Sequence, residues 1–126
     1  MTKYLGIDYG QAHVGLAWAE TNLATPLISL PNNQALLQQV QQIVEKEGIT
    51  KIICGIPEGK LVTEITKFSQ ALEAKTGVKV VLHPETLSTQ EALARLRESG
   101  ASRKKLRNEH VYAAGLILED YLEYKK

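Results

Sequence analysis

Apolar residues in this chain recur first at the spacing of strands and only later at the spacing of helices, and that order leaves few folds open. Lys3 to Tyr9, His13 to Glu20 and Leu23 to Leu30 read as three strands separated by short breaks, which predicts an antiparallel meander. Pro26 has no N–H for a ladder, so the third run belongs at an edge or at a bulge. From Asn33 to Glu47 the residues Leu36, Leu37, Val40, Ile43 and Val44 fall at helical spacing, and Gly48 follows as a natural stop. Ile49 to Gly55 is a short apolar strand, and Ile56 to Lys60 is a loop. Leu61 to Lys75 is a helix with Ile65, Phe68 and Leu72 on one face, and Val78 to His83 is a further strand. A capping box, Ser88-Thr89-Gln90-Glu91, opens a helix through Ser99; a basic loop then leads to a last helix from Asn108 to Tyr124. Strands joined through helices run parallel. The expectation is therefore an α/β fold with a mixed five-stranded sheet, β-β-β-α-β-α-β-α-α, flanked by helices.

The 126 residues predict a single domain over 1–126, within the usual range of about 100–150, and a hydrophobic fraction of 44% is enough for one core. One cysteine, Cys54, excludes an internal disulfide and suits a reducing, cytoplasmic setting; in the run Ile52-Ile53-Cys54-Gly55 it reads as core filler rather than nucleophile. No apolar segment approaches the roughly 20 residues that span a bilayer, and no export signal opens the chain, so a soluble protein without membrane contact is expected. A net charge of +1 argues against binding nucleic acid by overall charge and leaves open binding by a local patch.

Asp8 ends the first strand just before a glycine turn, in Tyr4-Leu5-Gly6-Ile7-Asp8-Tyr9-Gly10. Leu5 and Ile7 point to one side and Gly6 and Asp8 to the other, while Gly10 and Gly15 allow the second strand to fold back closely. The carboxylate is either an Asx-turn residue in a hairpin or a ligand for a metal or phosphate. In sheets of this type ligands gather at the carboxyl ends of the parallel strands. Three segments meet there: Asp8, the loop after the central strand, and Glu85 after Val78 to His83. His110 joins them on the last helix, sharing a face with Ala114, Ile117, Leu118 and Tyr121. Two carboxylates and an imidazole around one cleft suit a divalent cation that also holds a phosphate oxygen. Glu85 as an exposed loop acid and His110 as a partly buried helix histidine are the plainer alternatives.

Four segments together resemble one family. Asp8-Tyr9-Gly10-Gln11-Ala12-His13-Val14-Gly15-Leu16-Ala17 is similar to the opening motif of the YqgF/RuvX proteins, ribonuclease H-like nucleases associated with Holliday junctions and pre-16S rRNA. Ile52-Ile53-Cys54-Gly55-Ile56-Pro57, His83-Pro84-Glu85-Thr86-Leu87-Ser88-Thr89-Gln90-Glu91-Ala92 and Ala113-Ala114-Gly115-Leu116-Ile117-Leu118-Glu119-Asp120-Tyr121-Leu122 resemble its later motifs, in order and across nearly the whole chain. The resemblance implies a ribonuclease H-like fold, a divalent metal (Mg²⁺ or Mn²⁺), and Asp8 and Glu85 as acids of the site. His110 stands where the family usually carries a third acid, with Glu109 beside it as a substitute. Pro84 and Thr86 replace an Asp and an Arg, His13 replaces a basic residue, and the loop after Gly55 is short. A neutral imidazole brings no negative charge, so such a site would lean toward Mn²⁺.

Ser102-Arg103-Lys104-Lys105-Leu106-Arg107 places four cations directly before the last helix, and Arg95 and Arg97 precede them. Arg103, Lys104, Lys105 and Arg107 either grip phosphates beside the scissile bond or form a solvated loop opposing a helix dipole. The resemblance implies an endonuclease acting on structured nucleic acid, pre-rRNA or branched DNA, as a monomer or homodimer. A catalytically weakened nucleic-acid-binding or ribosome-assembly protein on the same fold is the alternative. An actin-like ATPase fits less well, because those proteins clamp nucleotide between two such domains.

Overall fold

The computed structural model describes residues 2–56, 59, 61–85, 91, 94 and 109–125. The elements are β1 Tyr4–Tyr9, β2 His13–Ala19, β3 Thr25–Pro31, α1 Leu36–Glu47, β4 Lys51–Ile56, α2 Val62–Thr76, β5 Val80–Pro84 and α3 Glu109–Lys125. Of the helix expected from Ser88 to Ser99, Glu91 and Ala94 are helical, and the rest lies outside the described residues together with the basic loop.

The strands form one sheet in the order β3-β2-β1-β4-β5. The meander β1-β2-β3 is antiparallel, and β1, β4 and β5 are parallel, as the order of periods predicts. β3 takes both features that Pro26 demands. It is an edge strand, and its register shifts where Leu16 pairs with Ile28 but Ala17 with Pro26, leaving Leu27 as the extra residue of a bulge.

Element ends differ from the expected ones where a local hydrogen bond wins. α1 begins at Leu36 rather than Asn33, because the Asn33 side chain accepts from the Ala35 N–H at 2.9 Å and holds a turn there. Ile49 belongs to the stop of α1 and not to β4. Gly48 has φ +66°, Ile49 donates to the Val44 carbonyl at 3.0 Å, and its side chain is buried in the same core. β5 begins at Val80, after the Thr76 hydroxyl accepts from the Val78 N–H at 3.1 Å.

Alternation along the strands sorts side chains onto two faces. Leu5, Ile7, Val14, Leu16, Ile52 and Cys54 pack with Leu36, Val40 and Val44 of α1 and Ile65 and Leu72 of α2. Tyr4 and Ile53 pack on the other face against Ile117, Leu118, Tyr121 and Leu122 of α3. Leu5 and Ile7 are fully buried, each contributing roughly 1.5–3 kcal/mol, and a one-residue slip of β1 would exchange them for Gly6 and Asp8. Burial of these two side chains thus fixes which face Asp8 takes. Cys54 is core filler as expected: burial pushes its thiol up to about 12. Among the described residues no helix is long and apolar enough to cross a membrane.

Candidate active site

The site is built on a floor of glycines that admits α3 close to the sheet. A Cβ on Gly6 would lie 2.7 Å from the Ala114 carbonyl oxygen, and one on Gly55 2.5 Å from Cδ1 of Ile117. A Cβ on Gly10 would lie 2.6 Å from Cε1 of His110, and one on Gly15 would collide with the backbone of His110 and Val111. Gly10 and Gly15 therefore make room for the first turn of α3. The close return of β2 expected of them is also present, with Gly15 paired to Asp8.

Asp8 is next to last in β1 and only 8% exposed. His110, one residue into α3, places Nδ1 at 2.6 Å from Oδ2 of Asp8, across 102 positions of sequence. The face expected for His110 is the one it takes. An ionised carboxylate only accepts, so the ring donates to Asp8 through Nδ1. Glu85 follows β5, and its backbone N–H donates to the Ile56 carbonyl at 3.2 Å, continuing the ladder by one rung. Its carboxyl is held above the ordinary carboxylate range, first by burial and then by the charge of Asp8 and a hydrogen bond to it; His110 opposes the shift. Asp8, Glu85 and His110 thus meet at the carboxyl ends of β1 and β5. Glu109 lies beside His110 in the first turn, half-buried. Arg103, Lys104, Lys105 and Arg107 lie outside the described residues.

Two carboxyls crowded enough to raise one of them form a donor set that a divalent cation would relieve, and both offer the hard oxygens such a cation takes. Among the described residues no group of three or more His, Cys, Asp or Glu is clustered as a ready-made ion site. The fit therefore rests on the Asp8–Glu85 pair, with the imidazole bound to Asp8.

Some supports of the site have no local signal in the sequence. The Asn32 side chain donates to the Gly10 carbonyl at 2.7 Å and pins the turn after Asp8; its place after Pro31 at the end of β3 is the only hint. His83 of β5, 8% exposed, places Nε2 at 2.7 Å from Oδ2 of Asp120 on α3. No spacing in the sequence joins those two residues.

A five-stranded mixed sheet in this order, with acids at the carboxyl ends of its parallel strands, defines a ribonuclease H-like α/β protein. Residues 2–124 match the model of the RuvX family, described as Holliday junction resolvase, and the chain belongs to that family of nucleases. A "Putative pre-16S rRNA nuclease" of Chlamydia caviae is 36% identical, with 95% of this chain and 82% of that protein covered. A protein of the same name from Anaeromyxobacter sp. is 35% identical, with 96% of each covered. In fold the chain is similar to Thermus thermophilus RuvC in complex with a Holliday junction substrate (TM-score 0.65, 15% identity, 99% of this chain and 96% of that one). It is also similar to the Fowlpox virus resolvase in complex with Holliday junction DNA (TM-score 0.59, 11% identity, 98% and 99%).

Proposed function

We propose that the chain is a divalent-metal-dependent endonuclease of the cytoplasm that hydrolyses phosphodiester bonds in structured nucleic acid, with precursor 16S rRNA as the first substrate to test and a four-way DNA junction as the second. The observation that carries this reading is the meeting of the Asp8 and Glu85 carboxyls at one end of the sheet, with His110 of α3 bonded to Asp8. Asp8 and Glu85 would hold Mg²⁺ or Mn²⁺. The bound cation would make water nucleophilic near neutral pH and offset charge on the leaving oxygen. His110 orients Asp8 through Nδ1, and its ring would serve as a further ligand or as the group that takes a proton from the attacking water. Glu109, next in the same turn, is the acid that would stand in for His110. Arg103, Lys104, Lys105 and Arg107 would hold phosphates on either side of the cleaved bond.

Support for the rRNA substrate comes from the names of the curated relatives, and support for a junction from the family description. Trimming rRNA needs one copy, whereas cutting both strands of a junction calls for a two-fold dimer. The test is cleavage of a precursor 16S rRNA fragment and of a four-way junction in Mg²⁺ and in Mn²⁺, with Asp8→Asn as control. Cleavage lost on Asp8→Asn supports the site; cleavage that survives it places the site elsewhere. Histidine at the usual third acid position, with Pro84 and Thr86 in place of the Asp and Arg usual in the family, favours the second reading, a binding protein of weakened activity. That reading is met by tight binding without cleavage in either metal.

A further inference from the structure

α3 is tied to the sheet by two histidine–carboxylate pairs of opposite sense. At its start His110 of the helix donates to Asp8 of β1; ten residues on, roughly 15 Å along the axis, Asp120 of the helix accepts from His83 of β5. The second pair has no place in the chemistry proposed for the first. His83 is buried, its ring stands edge-on to Tyr121 at 5.5 Å and 85°, and Tyr124 packs on it at 5.9 Å. A buried ring nitrogen in that setting needs a partner, and Asp120 supplies it.

The place of His83 in β5 makes the pair consequential. β5 is an edge strand, held by a ladder on the β4 side alone within the sheet. His83 pairs with Gly55 of β4, the glycine whose missing Cβ admits the Ile117 side chain of α3, so the rung beside His83 lies directly under the helix. Glu85 lies two residues further on and shares the orientation of His83 along the strand. The same helix thus holds Asp8 through His110 and the end of β5 through Asp120.

We propose that His83 and Asp120 are positioning residues: their hydrogen bond locks the end of β5 to α3 and so sets Glu85 opposite Asp8, although neither side chain touches the reacting groups. This inference rests on the reading of Asp8 and Glu85 as the cation-binding pair. The test is Mn²⁺ titration by calorimetry on the full chain, beside kcat and KM for cleavage and a thermal melt of each variant. Asp120→Ala is expected to weaken Mn²⁺ binding and lower kcat by about 10–100-fold while leaving KM for the nucleic acid in place. Asp120→Asn, which keeps an acceptor for His83, is expected to restore most of both. His83→Asn, too short to reach Asp120, serves should Asp120→Ala not fold.

Leu122→Ala, which removes buried α3 packing without touching the pair, provides the control for simple loss of stability. If it weakens Mn²⁺ binding as much as Asp120→Ala does, the pair is merely structural and the inference fails. It fails alone if Asp120→Ala binds Mn²⁺ like the unaltered protein while Asp8→Asn does not. If Asp8→Asn leaves Mn²⁺ binding intact, the reading of the site falls and takes the positioning role with it.

Discussion

Asp8 and Glu85 illustrate how two acids of one type take different roles from their surroundings. Asp8 receives a hydrogen bond from His110, whereas burial and the neighbouring Asp8 raise the affinity of Glu85 for its proton. Asp8→Asn is expected to abolish Mn²⁺ binding in calorimetry and to lower cleavage by at least about 10²-fold, the scale at which an electrostatic group of a site acts. Glu85 gives a prediction for stability. An acid whose affinity for its proton rises on folding stabilises the folded chain fully below its ordinary value of 4.5, and that contribution is lost as pH rises through the raised one. Glu85→Gln, which mimics the protonated acid, should therefore raise the Tm of the chelator-treated protein at pH 7 and leave it nearly unchanged at pH 4. Thermal melts at the two pH values check this. Asp8 and His110 were legible as candidates because strand alternation and helix spacing each assign a face to a residue. Asn32 was not, because a side-chain bond to a carbonyl 22 positions away leaves no periodic trace.

Among the elements, α3 matters most, and it packs on what β1, β2 and β4 lack. Gly15→Ala sets a methyl group against helix backbone that cannot rotate aside, so the loss of stability is expected near the top of the ~1–3 kcal/mol range for overpacking. Gly48→Ala has open space around it but must keep φ +66°, a cost of roughly 1–2 kcal/mol. Urea denaturation of the two variants should rank Gly15→Ala as the more damaging, and it alone should also lose cleavage, since it pushes His110 away from Asp8. The glycines were visible in the sequence as permission for close approach. That the approaching element is α3, besides the neighbouring strand, follows only from packing. Strand and helix bounds were legible to within a few residues, and they slipped where Asn33, Ile49 and Thr76 spend a hydrogen bond locally.

For the whole molecule, a net charge of +1 means that a polyanionic substrate as proposed would have to be held by a local patch. If Arg103, Lys104, Lys105 and Arg107 neutralise phosphates, replacing all four by Gln should weaken binding across sequences and flatten the dependence of log K on log salt. The slope on duplex DNA is expected to fall by about 0.9 for each phosphate that is no longer neutralised, read from binding curves over a range of salt concentrations. Unchanged salt dependence would place the phosphate-binding cations elsewhere. The order of strand-like and helical runs already pointed to a mixed sheet with a parallel half, since short breaks suit antiparallel hairpins and a parallel pair needs a crossover as long as a helix. It also placed Asp8 and Glu85 at strand ends, where such sheets bind ligands. What the order of residues left undecided is which distant side chains touch: His110 with Asp8 and Asp120 with His83 meet across 102 and 37 positions. Periodicity assigns a residue to a face. Only the packing of one face on another selects its partner, and here that selection is made by the glycine floor that lets α3 lie close enough for both pairs to form.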